Sequence, residues 1–250
     1  DSIPGLTNSI VARFAKRIAV SFDSVAPRFN PKKVFVSGGP VREELFEDLL
    51  SAEDAKEKLG FGRDRPLTFV IGGSQGSERI NEFILLHLKE IIGETQLLHQ
   101  TGIRNYEAIR AMTEAAPKDS GRADEHPPYR AVSYLADDLK IAFAAADCVV
   151  SRAGSNAIFE IAAFGKPVIL IPLARSANGH QQSNAYAFAK AGGCAVIEEA
   201  NLVPGIFLSE LRTLLHDQAV IQKMKDADAK FFTKGAADRL AEEILALSGI

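Results

Sequence analysis

The sequence predicts an α/β fold: a doubly wound parallel sheet with helices on both faces. Three observations predict it. Short runs that are apolar throughout recur along the chain, amphipathic stretches lie between them, and glycines close several of the runs. A strand that is apolar on both faces has to be covered on both, and a helix between successive strands enforces parallel pairing. In such a sheet a ligand binds off the carboxyl ends of the strands.

The elements follow in order. Ser9 to Phe22 reads as one amphipathic helix, with Ile10, Phe14, Ile18 and Phe22 on one face and Arg13, Lys16 and Arg17 opposite. Packing against a neighbour is the normal use of such a face; a basic amphipathic helix can also lie on an anionic membrane. Strands are expected at Lys33 to Ser37, Leu67 to Ile71, Gln96 to Gln100, Tyr129 to Tyr134, Asp147 to Ser151, Pro167 to Ile171 and Ala195 to Ile197. Helical spacing places helices over Glu78 to Ile92, from Leu139 to Ala145, and over Asn156 to Phe164, and residues 204–250 read as helical throughout. Pro117 to Pro128 reads as a loop.

Composition narrows the function. The chain has 250 residues, a formal net charge of -3, 46% hydrophobic and 24% charged residues, as ordinary globular proteins do. Without a basic excess or tryptophan, nucleic-acid binding is not expected. No uncharged apolar run approaches the roughly 20 residues of a membrane span. The opening Asp1-Ser2-Ile3-Pro4-Gly5 has no leader-peptide pattern. Two cysteines, Cys148 and Cys194, exclude a disulfide scaffold and a zinc cluster of cysteine pairs; both sit in apolar runs and read as buried packing residues. Asp124-Glu125-His126 falls in the loop stretch and reads as solvated rather than as a metal site.

Three stretches carry chemistry. In Val70-Ile71-Gly72-Gly73-Ser74-Gln75-Gly76-Ser77 a strand, a glycine turn and a helix follow one another. Glycines let backbone approach a ligand, the helix start favours an anion, and Ser74 can donate to a phosphate oxygen. Neither the G-x-G-x-x-G nor the Walker pattern is present, which disfavours a dehydrogenase and a P-loop NTPase. A tight turn without a ligand explains this stretch equally well. Cys148 to Glu160 repeats the plan, with Ser155 as the expected N-cap. Glu160, within two turns of that helix start, can accept hydrogen bonds from the vicinal hydroxyls of a ribose; alternatively it complements the helix dipole. Two anion-binding turns and one hydroxyl acceptor suit a nucleoside diphosphate. In the third stretch, Ile171 to Ala185, a strand leads through a polar loop to His180-Gln181-Gln182-Ser183-Asn184, whose amides suit sugar hydroxyls or simply cap a helix. No second metal-ligating residue accompanies His180, and no G-x-S-x-G elbow is present.

Taken in order with Ile3-Pro4-Gly5-Leu6-Thr7-Asn8, Gly39-Pro40-Val41-Arg42 and His99-Gln100-Thr101-Gly102, these stretches resemble the MurG family of peptidoglycan N-acetylglucosaminyltransferases. The resemblance implies the GT-B architecture of two Rossmann-like domains. It implies that the chain is the carboxyl-terminal, donor-binding half, with residues 31–250 as that domain and residues 1–30 as the last helix of an acceptor domain. The activity implied is inverting transfer of N-acetylglucosamine from UDP-N-acetylglucosamine to a lipid-linked muramyl-pentapeptide, at the cytoplasmic face of the membrane, with membrane contact through the other domain. By resemblance, Arg42, Gly73, Ser74 and Gln75 meet the diphosphate, and the backbone of Leu135 meets the uracil. Gly154, Ser155, Asn156 and Ala157 hold phosphate, and Glu160 holds the ribose. Gln181 holds the sugar with His180 and Asn184 beside it, Gln182 being the alternative register, and Asp1 lies near the sugar. No cofactor or metal is implied, and no residue of this chain is assigned as catalytic base. A UDP-sugar-binding subunit of a two-chain transferase and a UDP-N-acetylglucosamine 2-epimerase are the alternatives.

Overall fold

In a computed structural model of the chain, residues 1–73, 75–115, 127–174, 176 and 179–248 are described. Ser74 and the Asp124-Glu125-His126 cluster lie outside the described residues. Two parallel sheets form. The small one pairs β1 (Ile18–Val20) with β2 (Val34–Val36). The large one contains β3 (Leu67–Ile71), β4 (Gln96–Gln100), β5 (Tyr129–Val132), β6 (Cys148–Ser151), β7 (Val168–Leu170) and β8 (Ala195–Val196), in the order β5-β4-β3-β6-β7-β8. All neighbours in it are parallel.

This order winds outward from β3 through β4 to β5, then returns and winds the other way from β6. The switch point therefore lies between β3 and β6, where a doubly wound sheet opens a crevice. The register makes that crevice level: Val132, Gln100, Ile71, Ser151, Leu170 and Val196 form one row across the sheet. Every loop that leaves the carboxyl end starts from this row.

The strands form where the sequence is apolar on both faces. β3, β6 and β7 are buried throughout. One face is covered by α2 (Ala52–Lys58), α6 (Leu139–Ala145), α7 (Ser155–Ala163) and α8 (His180–Ala191), around Phe69, Phe143, Ile158 and Phe188. The other is covered by α3 (Glu78–Leu86), α4 (Leu88–Glu94) and α9 (Pro204–His216), around Ile80, Ile84, Phe207 and Leu211. Burying one such side chain contributes about 1.5–3 kcal/mol. β4 is buried although it reads Gln96-Leu97-Leu98-His99-Gln100, because each polar group has partners: Gln96 bonds to Gly62 N at 2.7 Å and Gly62 O at 2.8 Å.

Three expectations are corrected. The single helix from Ser9 to Phe22 does not form: α1 (Leu6–Val11) ends early and residues 18–20 are strand. The alternation Ile18, Val20, Phe22 outcompetes the helical spacing, because pairing with β2 buries Val20 and the strand delivers Phe22 to Phe159 and Phe231, whereas Phe14 stays 84% exposed. Glu78 to Ile92 is two helices broken at His87. Residues 204–248 are helical as expected, as α9, α10 (Gln218–Phe231) and α11 (Ala236–Ser248). Ser155 is the first residue of α7 rather than its cap; Gly154 occupies the cap, and no side-chain bond closes it.

The small sheet is locked to the large one by rings. Phe22 meets Phe159 of α7 at 5.2 Å and Phe231 of α10 at 5.7 Å, and Phe159 stacks on Phe231 at 4.9 Å. This contact carries the loop after β2, and with it Arg42, to the mouth of the crevice.

Candidate functional site at the sheet switch point

The two glycine turns flank the switch point as expected. The turn after β3 is pressed against the turn after β4: a Cβ on Gly76 would lie 2.0 Å from the Thr101 carbonyl oxygen, and one on Gly102 would lie 2.4 Å from Gly76 N. Only glycine permits this backbone contact. The turn after β6 is different. Nothing lies within 4 Å of a Cβ on Gly154, so the start of α7 faces open space. The first N–H groups of a helix have no partner within it, and in α7 these belong to Ser155, Asn156 and Ala157, which makes this terminus the anion-favouring one.

Glu160, one turn further on, is partly buried, and its carboxylate lies 3.8 Å from the Arg42 guanidinium. Burial raises the Glu160 pKa, and Arg42 opposes that rise. Arg42 precedes a short 3-10 helix, Glu43–Phe46, and remains more than half exposed. The structure thus joins three predicted features: the open α7 turn, the carboxylate and the cation.

The start of α3 is less open. Ser77 caps it, its hydroxyl accepting from Ile80 N, and the same hydroxyl accepts from Arg152 Nε at 3.1 Å and Nη2 at 2.7 Å. Arg152 also donates to the Ile171 carbonyl at 3.0 Å and to Glu199, whose other oxygen accepts from Ala174 N at 3.1 Å. Arg152 and Glu199 therefore tie together the loops after β3, β6, β7 and β8. Sequence reasoning did not single them out. The available signal was an arginine directly after a buried strand, among small residues.

A second network also went unread. His99 Nε2 faces Asn81 Oδ1 at 3.0 Å, and Nδ1 faces Tyr129 Oη at 3.1 Å. Asn81 spends its amide N–H on the Thr101 carbonyl at 2.9 Å. Its Oδ1 must therefore accept, which places the imidazole proton on Nε2. Burial brings His99 down to about 3, so it is neutral. This chain holds the Thr101 carbonyl against Gly76.

Gln75 and Gly73 line the β3 turn, where Gly73 O accepts from Gln100 Nε2 at 3.3 Å. Leu135 is buried, and its N–H is taken by Gln100 Oε1 at 2.9 Å. Asn184 is fully buried and spent: it donates to Asp1 Oδ1 at 3.0 Å and Ala153 O at 3.1 Å, and accepts from Ser2 N at 2.7 Å. It braces α8 against the start of α7 rather than facing the crevice. Gln181 Oε1 accepts from Leu173 N at 3.0 Å. His180 Nδ1 is buried without a hydrogen bond, 3.7 Å from Asp1 Oδ2. Among the described residues no cluster of His, Cys, Asp or Glu could seat a metal ion, and no helix is long and apolar enough to cross a membrane.

The chain is 34% identical over 249 residues to the UDP-N-acetylglucosamine--N-acetylmuramyl-(pentapeptide) pyrophosphoryl-undecaprenol N-acetylglucosamine transferase of Thermoanaerobacter sp. (strain X514), covering 99% of the chain and 66% of that relative. It is 35% identical over 247 residues to the protein of that name from Acetivibrio thermocellus, covering 98% of the chain and 64% of the relative. The chain thus spans just under two thirds of the length of these curated relatives. The crystal structure of Acinetobacter baumannii MurG superposes with a TM-score of 0.71 at 23% identity, over 98% of this chain and 64% of that one. A putative UDP-N-acetylglucosamine 2-epimerase from Listeria monocytogenes superposes at 0.62 and 17%, over 97% of this chain and 62% of that one. Likeness at these identities shows the fold alone, the parallel α/β fold of GT-B glycosyltransferases. Residues 67–240, from the first strand of the large sheet into α11, match the glycosyltransferase family 28 C-terminal domain, and the chain belongs to that family.

Proposed function

We propose that the switch-point crevice binds the nucleoside diphosphate of UDP-N-acetylglucosamine. We further propose that a polypeptide of the relatives' full length uses it to transfer N-acetylglucosamine to a lipid-linked muramyl-pentapeptide, the step from lipid I to lipid II in peptidoglycan synthesis. The observation that carries the reading is the Arg42–Glu160 pair poised beside the open α7 turn at Gly154. A diphosphate at the α7 terminus attracts Arg42 away from Glu160, and the released carboxylate accepts the ribose hydroxyls.

In the reaction the acceptor hydroxyl oxygen bonds to C1 of the sugar, with inversion, and its proton passes to a general base. The bond from C1 to the β-phosphate oxygen breaks, and its electron pair leaves on UDP. The fixed N–H groups of α7 and the Arg42 guanidinium meet that charge, a type of stabilisation that is usually the largest contribution in such sites. An undecaprenol-linked acceptor, as in the relatives' names, is a membrane lipid, which supports a reading of this protein as working at the inner face of the membrane. Residues 31–250 are read as the donor-binding domain, and the β1–β2 pairing ties residues 1–30 to it.

Thermal melting with UDP-N-acetylglucosamine, UDP-glucose and NAD tests the reading. At a hundred times its dissociation constant, UDP-N-acetylglucosamine adds about 2.7 kcal/mol, and Glu160→Gln weakens that binding about tenfold while melting normally without ligand. Stabilisation by NAD and by neither UDP-sugar overturns it.

A further inference from the structure

The end of the sheet opposite the crevice holds a second concavity, of about 430 Å³, where β3, β6 and β7 begin. Two lysines line its interior. Lys56 is 6% exposed and donates from Nζ to Asp147 Oδ2 at 2.8 Å and to the Arg65 carbonyl at 3.1 Å. Lys166 donates to the carbonyls of Ala146 at 2.8 Å and Ala144 at 3.2 Å. An ammonium group has three donors, so each lysine keeps one to spend. Arg65 and Lys225 stand exposed at the rim. Arg65 gives one N–H to the Ile92 carbonyl and, with five donors, keeps others; Lys225 forms no ion pair among the described residues.

Against these four cations the cavity sets two carboxylates, Asp64 and Asp147. Asp147 is already engaged by Lys56 and by the N–H of Leu67 at 2.8 Å. Among the described residues that line the cavity, two positive charges are left uncompensated. Burial brings Lys166 down to about 8; Asp147 opposes the shift, and repulsion from Lys225 and Lys56 adds to it. A bound anion relieves that repulsion.

We propose that this cavity is a second anion site that takes a phosphate dianion, separate from the donor crevice. The charge matches. Two lysines inside the cavity and two cations at its rim supply the donors, and a guanidinium grips phosphate through paired N–H bonds. A strand of five residues spans about 17 Å, so a ligand here does not overlap one at the carboxyl ends.

Isothermal titration of the full chain with sodium phosphate, against sodium chloride at matched ionic strength, tests the site. Saturable phosphate binding is expected. Lys225→Met, an exposed substitution that leaves the core intact, weakens it about tenfold, and prior saturation of the donor crevice with UDP-N-acetylglucosamine leaves it unchanged. Nitrogen-detected NMR of the lysine ammonium groups shows the Lys166 titration moving upward with phosphate. Vesicles carrying phosphatidic acid separate the sources: cosedimentation lost in Lys225→Met assigns a lipid headgroup, and saturation by inorganic phosphate without cosedimentation assigns a soluble one. The proposal fails if phosphate gives no saturable signal beyond chloride, if Lys225→Met binds as the parent does, or if prior saturation with UDP-N-acetylglucosamine abolishes phosphate binding.

Discussion

Asp228 shows how much a single residue can decide. It lies on α10, has no exposed surface, and neither carboxyl oxygen has a hydrogen-bond partner. Burial pushes it up to about 8, so the native chain holds it neutral at pH 7. In the unfolded chain an aspartate loses its proton near 4. As pH rises from about 4 to about 8, the unfolded state gives up this proton and the native state keeps it, so stability falls across that window. Asp228→Asn, which keeps the shape of the neutral acid, removes this slope. The variant melts above the parent at pH 7, by at least about 1.4 kcal/mol, and the difference shrinks towards pH 4. Parallel melting curves for the two proteins from pH 4 to 8 would show that the carboxyl group is solvated.

The turns define the scale of the element. The β3 and β4 turns are held by backbone contact, the β6 turn by side chains, Arg152 reaching Ser77 and the Ile171 carbonyl and Asn184 holding the Ala153 carbonyl. Gly76 has a φ of +74° and no room beside the Thr101 carbonyl, so Gly76→Ala costs about 2 kcal/mol or more. Gly154 has a φ of -67° and open space, so Gly154→Ala unfolds in denaturant as the parent does. Its added methyl nonetheless stands where the diphosphate is read to sit, so its affinity for UDP-N-acetylglucosamine falls. Denaturant unfolding and ligand titration of both variants separate the two effects. If Gly154→Ala bound the donor normally, the phosphate would have to lie elsewhere.

For the whole molecule, the coupling of two sheets matters most. Phe159 belongs to the same helix as Glu160, yet its ring carries the small sheet through Phe22 and α10 through Phe231. Phe159→Ala therefore costs about 3–5 kcal/mol. Amide exchange then speeds up together in β1, β2 and α7, as expected of one cooperative unit. Loss of protection in the small sheet alone would show that the sheets unfold independently.

Legibility followed the range of the interactions. Leu67 to Ile71 was readable to the residue as a run closed by glycine with only Thr68 polar, and Gln96 to Gln100 through its Leu97-Leu98 centre and the glycine that follows, although its other three residues are polar. The first helix was misread because Ile10, Phe14, Ile18 and Phe22 fit a helical period while Ile18, Val20 and Phe22 fit a strand period, and only the partner β2 chooses between them. At the site, Gly154 and Glu160 were picked out by residue type near a glycine turn, and Arg42 by the family resemblance alone. That Asn184 and the Leu135 N–H are already spent was not, since their partners Ser2 and Gln100 lie far away in sequence.

The sequence by itself determined the alternation of buried strands and covering helices, the two glycine turns, and the residue types able to meet a nucleoside diphosphate. These are local properties, set by periodicity and backbone freedom. Tertiary structure alone decided that Arg42 meets Glu160, that Arg152 and Glu199 bind four loops together, and that four cations gather at the far end of the sheet. Each of these joins residues from separate crossovers, and their spacing in the chain carries no record of the register that brings them together.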